Sequence, residues 1–457
     1  MSLGSWLDGL GRDLGQLADR ALDRHLRLAV TGLRRSGKTV LITAIVHHLM
    51  SGRALPFLEA VHAGRYLGAR PQPLQTGTAF PYQRFLQDLT ASRPRWPVAT
   101  DRLSRVELLL RTSTTNALLR PLQPVQELTL EIIDYPGEWL LDLPMLHQSF
   151  AEFSGIALDL ARQGERAALA RDWSALAHGL DQQGPADPVT LDPLVASYKA
   201  YLHEAQQRHH LSFLQPGRFL NPGDALGAET LQWSPLPEAT GGPARELMIR
   251  RFERYKAELV QGFYEEHFRS FDRQIVLVDL LSVLNHGPEC FEDAKLALAA
   301  IMESFRYGRS GILARLLAPR IDRLLFAASK ADHVAPSQHA ALKQLLELMI
   351  APSARAARFE GLKPEVMALA ALRCTDAVRT EHDGQVLTCV RGRLEHEDRE
   401  TVLFPGELPA DLPEPEDWRS GRFRFKDFAP RRLEPAKPNQ HIRLDQALEY
   451  LIGDKLR

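Results

Sequence analysis

A strand pattern followed at once by a glycine-containing loop and a helix lies near the start of this chain. Apolar residues alternate from Leu26 to Val30, and the sequence GLRRSGKT occupies Gly32 to Thr39. This spacing fits the phosphate-loop pattern G-x-x-x-x-G-K-[S/T], and Val40 to Met50 continue as an amphipathic helix. The feature predicts a nucleotide-binding α/β fold; the alternative is an ordinary strand-to-helix turn with incidental glycines.

The physical reason for this pattern is the helix N-terminus. Its unpaired backbone N–H groups and the positive end of its dipole attract phosphate, and glycines let the loop close around that phosphate. Lys38 is predicted to reach the β- and γ-phosphates, and the Thr39 hydroxyl to bind Mg²⁺. The predicted nucleotide contacts in this loop are Gly32, Arg35, Ser36, Gly37, Lys38, Thr39 and Val40.

A second strand pattern, LTLEII from Leu128 to Ile133, ends in Asp134-Tyr135-Pro136-Gly137. This matches D-x-x-G, in which a carboxylate holds Mg²⁺ and the glycine N–H approaches the γ-phosphate. We therefore predict Asp134 as a metal ligand and Gly137 as a nucleotide contact. The strand pattern from Val106 to Thr112 is predicted to pair antiparallel with this strand.

A switch threonine is expected before that antiparallel strand. Thr100 is favoured to complete the Mg²⁺ shell because its distance from the second strand suits a segment that orders with the triphosphate. Thr76 and Thr78 are rivals, and all three also fit ordinary loop threonines.

A third strand pattern, from Asp322 to Ala328, leads into Ser329-Lys330-Ala331-Asp332. This resembles the N/T-K-x-D guanine motif, with Ser in place of Asn. The Asp332 carboxylate can accept two hydrogen bonds from guanine, and the Lys330 stem can cover the base. The alternative is a helix-capping Asp. A fifth base-contacting loop is predicted at Arg373, after a strand from Val366 to Leu372.

Four segments together resemble the YcjX-like family of predicted bacterial P-loop GTPases. They are GLRRSGKT, DYPGEWLLDLP at 134–144, SKADH at 329–333 and FRFKDFAP at 422–429. The resemblance implies a Ras-like domain interrupted by a helical domain, GTP or GDP with Mg²⁺ as ligands, and a link to envelope stress and the inner membrane.

Glu138 follows the D-x-x-G motif, where many GTPases carry a glutamine that orients the attacking water. A carboxylate can accept a proton from water but adds negative charge beside the γ-phosphate. We therefore predict slow GTP hydrolysis, about 10⁻⁴ to 10⁻² per second, with Lys38, Glu138 and Thr100 as catalytic residues. Arg34 and Arg35, inside the phosphate loop, can supply positive charge in cis; the alternative is that they bind nothing or pair with surface carboxylates.

The strand patterns predict a Ras-like doubly wound, mostly parallel six-stranded sheet with one antiparallel edge, a large helical insertion and a small C-terminal β-containing module. Because the insertion follows Gly137, triphosphate binding is expected to move it. The predicted segments are an N-terminal helix 1–23, the core in two parts 24–145 and 272–378, the helical insertion 146–271, the β-containing module 379–440, and a C-terminal helix 441–457.

Composition excludes several other classes of protein. The 56 basic and 57 acidic residues leave a formal charge of −1, which argues against a nucleic-acid surface. The three scattered cysteines imply no disulfide framework, and no apolar run is long enough to span a membrane. We expect a cytoplasmic protein, peripheral at the inner membrane if the N-terminal helix docks there, with a guanine nucleotide and an unidentified protein as partners. An ATPase of the same fold and a nucleotide-stabilised scaffold are the alternative functions.

Overall fold

The computed structural model describes residues 25–98, 102–114, 124–180, 186–225, 229–305, 321–359, 361–382, 384–434, 437 and 439–457. It is a mixed α/β structure built on one large sheet. The strands of that sheet are β1 His25–Gly32, β2 Tyr66–Gln72, β3 Ser104–Ser113, β4 Val125–Asp134, β5 Arg273–Val278, β6 Arg323–Ala328 and β7 Pro364–Ala368. The predicted N-terminal helix 1–23 and Thr100 lie outside the described residues.

The large sheet has the strand order β2-β3-β4-β1-β5-β6-β7. Strands β4, β1, β5, β6 and β7 are parallel, while β3 pairs antiparallel with both of its neighbours. The predicted antiparallel pair is confirmed, with Val106 opposite Ile132. The predicted count of six strands is wrong, because β2 adds a seventh strand and occupies the edge that β3 was expected to form.

Strand β2 has a weak sequence signal. Its sequence YLGARPQ contains Gly68 and Pro71, both of which are unfavourable inside a strand. An edge position tolerates them, since one side of the strand needs no ladder partner. The register also shifts between Tyr66 and Gly68, as in a β-bulge.

The two faces of the sheet bury different layers of helix. In β5, Ile275 and Leu277 point to the layer that contains the helices Lys38–Ser51 and Leu444–Ile452, while Val276 and Val278 point to the opposite layer. This alternation follows from the two-residue period of a strand, and both faces are buried as parallel sheets require. The helices before β5 are α1 Lys38–Ser51, α2 Glu59–His62, α3 Tyr82–Thr90, α4 Glu138–Asp142, α5 Phe150–Ala161, α6 Arg166–Leu169, α7 Arg171–His178, α8 Pro188–Gln207, α9 Gly217–Leu220, α10 Gly242–Tyr255 and α11 Gln261–Glu266.

The segment between β4 and β5 contains helices and irregular loops but no strand among its described residues, and it packs on the sheet. Besides α4 to α11 it contains a π-helical turn at Lys256–Val260 and short 3₁₀ turns. Its buried side chains, among them Trp173 and Trp233, belong to one continuous apolar cluster with Val276 and Phe326 of the sheet. The inserted helices therefore share the core of the sheet.

The remaining elements complete the sheet and add a second, smaller one. Strands β8 Asp376–His382, β9 Gln385–Arg393 and β10 Glu400–Leu403 form an antiparallel sheet of three strands. The last helices are α12 Leu280–Asn285, α13 Pro288–Ser304, α14 His339–Phe359, α15 Pro415–Arg419 and α16 Leu444–Ile452. Among the described helices, none is long and apolar enough to cross a bilayer.

Candidate nucleotide site

The loop after β1 has the backbone geometry of a phosphate cradle. Arg35 and Gly37 adopt left-handed φ angles of 60° and 91°, and helix α1 begins directly afterwards with the Leu41 N–H bonded to the Gly37 carbonyl at 2.9 Å. The N-cap residue Gly37 has no side chain to cap this helix, so the first N–H groups of the helix are available to a ligand. A Cβ at Gly37 would meet no atom within 4 Å, which leaves open space where a phosphate would lie.

The D-x-x-G turn packs directly against this loop. A Cβ on Gly137 would lie 2.3 Å from the Gly32 carbonyl oxygen, so only glycine allows this approach. The Thr31 hydroxyl donates to the Tyr135 carbonyl at 3.3 Å and joins the two segments again. Both motifs follow neighbouring parallel strands, with Val30 opposite Asp134.

Two oxygen donors suited to Mg²⁺ belong to these segments. Thr39 is buried in the first turn of α1, and Asp134 is buried at the end of β4. Within the described residues, no group of three His, Cys, Asp or Glu side chains is placed to hold a metal. A hydroxyl and a single carboxylate fit Mg²⁺, which keeps water and substrate phosphate as its other ligands.

The rival switch threonines lie near the same end of β4. The Thr78 carbonyl accepts a hydrogen bond from the Arg105 N–H at 2.9 Å, and the preceding Ser104 is paired with Asp134. Thr76 and Thr78 are both exposed.

The third motif follows β6, two strands away. Ser329 is buried, and its N–H and hydroxyl both donate to the Val278 carbonyl, at 2.9 and 3.3 Å. Its hydroxyl therefore ties the ends of β5 and β6 together in the position where the motif usually has Asn. Asp332 is buried, and its Oδ2 accepts the Cys374 N–H at 2.7 Å.

Residues 373–375 accordingly lie beside Asp332. The Thr375 hydroxyl donates to the Asp332 carbonyl. The Arg373 N–H donates to the Gln440 carbonyl at 2.7 Å, and its Nε to the Thr375 carbonyl at 3.1 Å. The loop after β7 is thus hydrogen-bonded to the loop after β6.

Lys330 adopts a left-handed φ of 56° and is held by two carboxylates. Its Nζ lies 2.7 Å from Asp279 Oδ2 and 2.9 Å from Asp427 Oδ1. Burial alone would lower the pKa of Lys330, but the two carboxylates raise it above its ordinary value.

Helix α4, which begins immediately after Gly137, is attached along its length to inserted residues. Glu138 Oε1 accepts a hydrogen bond from Gln206 Nε2 at 3.1 Å, and the Trp139 indole N–H donates to the Asn221 carbonyl at 2.8 Å. A Cβ on Gly217 would lie 2.0 Å from the Glu138 carbonyl oxygen. The start of α4 is therefore packed against α8, α9 and the residue that follows α9.

Asp142, the last residue of α4, is buried and accepts three hydrogen bonds. The donors are the Gly217 N–H at 2.7 Å, the Arg218 N–H at 3.3 Å and the Tyr255 hydroxyl at 2.5 Å. Burial raises the pKa of Asp142 from 3.8 to about 6, although these donors act in the opposite direction.

The model of the YcjX-like family, DUF463, matches residues 26–456 of this chain. This chain belongs to the YcjX-like family. It is 42% identical over 464 residues to a protein of Escherichia coli (strain K12) described as Ras-like GTPase YcjX, covering 98% of this chain and 99% of that protein. It is 40% identical over 469 residues to the protein of the same description from Shewanella oneidensis (strain MR-1), covering 96% of each.

Three contacts of this YcjX-like chain were not predicted from its sequence. Asp279 and Asp427 bind Lys330, and Gln206 binds Glu138. Asp427 belongs to FRFKDFAP, a segment that supports the family resemblance but carries no recognised nucleotide motif. Only Asp279 has a usable signal, because it directly follows a buried parallel strand at the edge where ligands bind.

The FRFKDFAP segment also contacts the loop before β3. The Phe428 ring lies edge-on to the His333 ring with 5.0 Å between centroids, and the Phe428 carbonyl accepts the Trp96 indole N–H at 3.1 Å. In this YcjX-like chain, the C-terminal segment therefore connects the Lys330–Asp332 loop to the segment that precedes Thr100 in sequence.

Proposed function

We propose that this chain binds guanine nucleotides with Mg²⁺ and slowly hydrolyses GTP to GDP and phosphate. The observation that carries the proposal is the convergence of a phosphate cradle, a D-x-x-G turn and a buried Asp332 at the C-terminal ends of the parallel strands of the large sheet. Ligands of open α/β sheets bind at this edge. The two relatives described as Ras-like GTPases, similar over nearly their whole length, support the same function.

The phosphate-binding roles follow from the cradle. The N–H groups from Gly37 to Val40 would bind the phosphates, with Ser36 lining the loop and Arg35 at its exposed rim. Lys38 would neutralise the β- and γ-phosphate oxygens. Thr39 and Asp134 would hold Mg²⁺, with Thr100 as the proposed switch ligand.

The base-binding roles fall to the loops after β6 and β7. Asp332 would accept the N1 and N2 hydrogens of guanine, which adenine does not offer. The Lys330 stem would cover the base while its ammonium group remains bound to carboxylates, and the loop at Arg373 would approach the base edge.

Hydrolysis would proceed by attack of water on the γ-phosphorus. The water oxygen forms a bond to phosphorus, the bond to the β–γ bridging oxygen breaks, and its electron pair leaves with GDP. One water proton passes to the Glu138 carboxylate and then to solvent, and the other remains on the phosphate. The negative charge of Glu138 opposes the charge of the γ-phosphate, which keeps the expected rate near that of unstimulated switches, about 10⁻⁴ to 10⁻² per second.

The nucleotide state is proposed to reach a protein partner through α4. Because α4 is bound to Gln206, Gly217 and Asn221, a shift of Gly137 toward a γ-phosphate would displace these residues as well. Hydrogen exchange in residues 138–271 should therefore differ between the GDP and GTP states. Identical exchange in the two states would contradict this coupling.

From the family resemblance we also propose a role in the bacterial envelope stress response, with the protein in the cytoplasm and peripheral at the inner membrane. A strain that lacks the gene should grow more slowly under envelope stress. The Lys38→Ala variant should fail to restore growth, and restoration by that variant would separate the role from nucleotide binding.

Nucleotide identity is tested by thermal shift and calorimetry with GDP, GTP, ADP and ATP, with and without Mg²⁺. We expect stabilisation by the guanine nucleotides only, and loss of that preference in Asp332→Asn. Asp159→Asn, an exposed helical carboxylate, is the matched control. Equal stabilisation by ATP would favour an ATPase, and unfolding of Lys38→Ala would favour a scaffold stabilised by its nucleotide.

A further inference from the structure

The contact between Glu138 and Gln206 joins two segments 68 residues apart. Gln206 lies in the last turn of α8 and is 9% exposed, although the next residue, Gln207, is exposed. Its side-chain amide donates to Glu138 Oε1 at 3.1 Å. Its backbone carbonyl accepts a hydrogen bond from Arg34 Nη1, in the phosphate loop, at 3.3 Å. One inserted residue therefore contacts both the phosphate loop and the start of α4.

We infer that Gln206 is a positioning residue for GTP hydrolysis, which holds the Glu138 carboxylate in place for the attacking water. The inference rests on the proposed function and assigns to the helical insertion a direct part in the reaction. Glu138 alone is a flexible side chain at the start of a short helix, and a free side chain of this length loses considerable rotamer entropy when it is fixed. The amide of Gln206 fixes one carboxylate oxygen in advance of the reaction.

The chemistry of the donor suits this role. Within the described part of the chain, no donor reaches Glu138 Oε2, so this second oxygen remains for water. A neutral amide orients the carboxylate without cancelling its charge, whereas a lysine or arginine would form an ion pair with it and weaken it as a proton acceptor. The pair Glu138–Gln206 thus combines a proton acceptor with an amide that orients it.

The hydrogen bond from Arg34 to the Gln206 carbonyl attaches the end of α8 to the phosphate loop as well as to Glu138. Because Arg34 donates to the backbone of Gln206, a displacement of the phosphate loop would also move the amide that holds Glu138. The position of α8 relative to the phosphate loop would then control the rate of hydrolysis. A partner that moves α8 would change that rate without entering the nucleotide site.

The test compares Gln206→Leu with Gln207→Leu, which changes the same residue type one position later on the exposed side of the helix. Single-turnover GTP hydrolysis and GTP affinity are measured for each. We expect Gln206→Leu to lower the rate constant about tenfold, the effect of one lost hydrogen bond of about 1.4 kcal/mol, with GTP affinity within about twofold of wild type. Gln207→Leu should leave both quantities unchanged.

Two further variants test whether the Gln206 amide acts through Glu138. Gln206→Glu preserves size and polarity but replaces the donor by a second carboxylate, and should slow hydrolysis at least as much as Gln206→Leu. The double variant Glu138→Ala/Gln206→Leu should be no slower than Glu138→Ala. Unchanged hydrolysis in Gln206→Leu or Gln206→Glu, or additive losses in the double variant, would overturn the inference. A wild-type protein that binds no GTP would instead refute the proposed function.

Discussion

The buried carboxylate of Asp142, the last residue of α4, makes the free energy of unfolding of the protein depend on pH. A pKa that rises from 3.8 to about 6 on folding corresponds to a cost of about 3 kcal/mol for keeping the carboxylate ionised in the folded protein. The folded state binds the proton more tightly than the unfolded state. The contribution of Asp142 to the free energy of unfolding is therefore highest below pH 3.8, falls as pH rises to about 6, and is constant above that.

The substitution Asp142→Asn removes the titrating carboxylate, so the difference between wild type and this variant isolates the contribution of Asp142. We expect the free energy of unfolding of wild type minus that of Asp142→Asn to fall by roughly 1–2 kcal/mol between pH 5 and pH 8, since about half of the full change lies in this range. Urea unfolding followed by circular dichroism at closely spaced pH values measures the difference.

A second variant checks the cause of the shift. Tyr255→Phe removes the hydroxyl that donates to Asp142 Oδ2 at 2.5 Å. The charged carboxylate loses one of its three donors, so the pKa of Asp142 should rise further and the pH-dependent step should move above pH 6. A difference between wild type and Asp142→Asn that stays constant from pH 5 to pH 8 would refute the reasoning.

Three further substitutions test the site. Gly137→Ala places a Cβ 2.3 Å from the Gly32 carbonyl oxygen, so it should displace the phosphate loop and lower the free energy of unfolding by about 1–3 kcal/mol or more. The control is Gly155→Ala, in a helix where the new Cβ meets no described atom within 4 Å; its melting temperature should be unchanged or higher. Equal melting temperatures for the two variants would contradict the contact between Gly137 and Gly32. Asp427→Asn removes one of the two carboxylates that hold Lys330. Because the Lys330 stem would cover any purine, this variant should weaken binding of GDP and of inosine diphosphate by the same factor. A loss of affinity for GDP alone, measured by calorimetry, would count against this role of Lys330. Lys38→Ala should abolish measurable GDP binding with the far-UV circular dichroism spectrum unchanged, and retained affinity would contradict its role.

Short motifs made the phosphate loop predictable. In GLRRSGKT the glycines, the lysine and the threonine lie within one short loop, and the positive φ of Gly37 is a backbone conformation that glycine adopts without strain. The antiparallel pairing of β3 with β4 was also predictable, since apolar alternation is a property of neighbouring residues. Strand β2 was missed because Gly68 and Pro71 weaken that same signal, and only its place at the sheet edge makes them acceptable.

The sequence by itself therefore determined the nucleotide-binding motifs, the α/β class and the family, all of which depend on patterns within a few residues. Only the tertiary structure decided that Lys330 pairs with Asp427, 97 residues away, that Gln206 holds Glu138, and that Gly217 packs on the start of α4. Such pairs have no periodic signature, because they arise when two surfaces with separate local patterns pack together. The last two of these contacts join the predicted γ-phosphate sensor to the helices between β4 and β5.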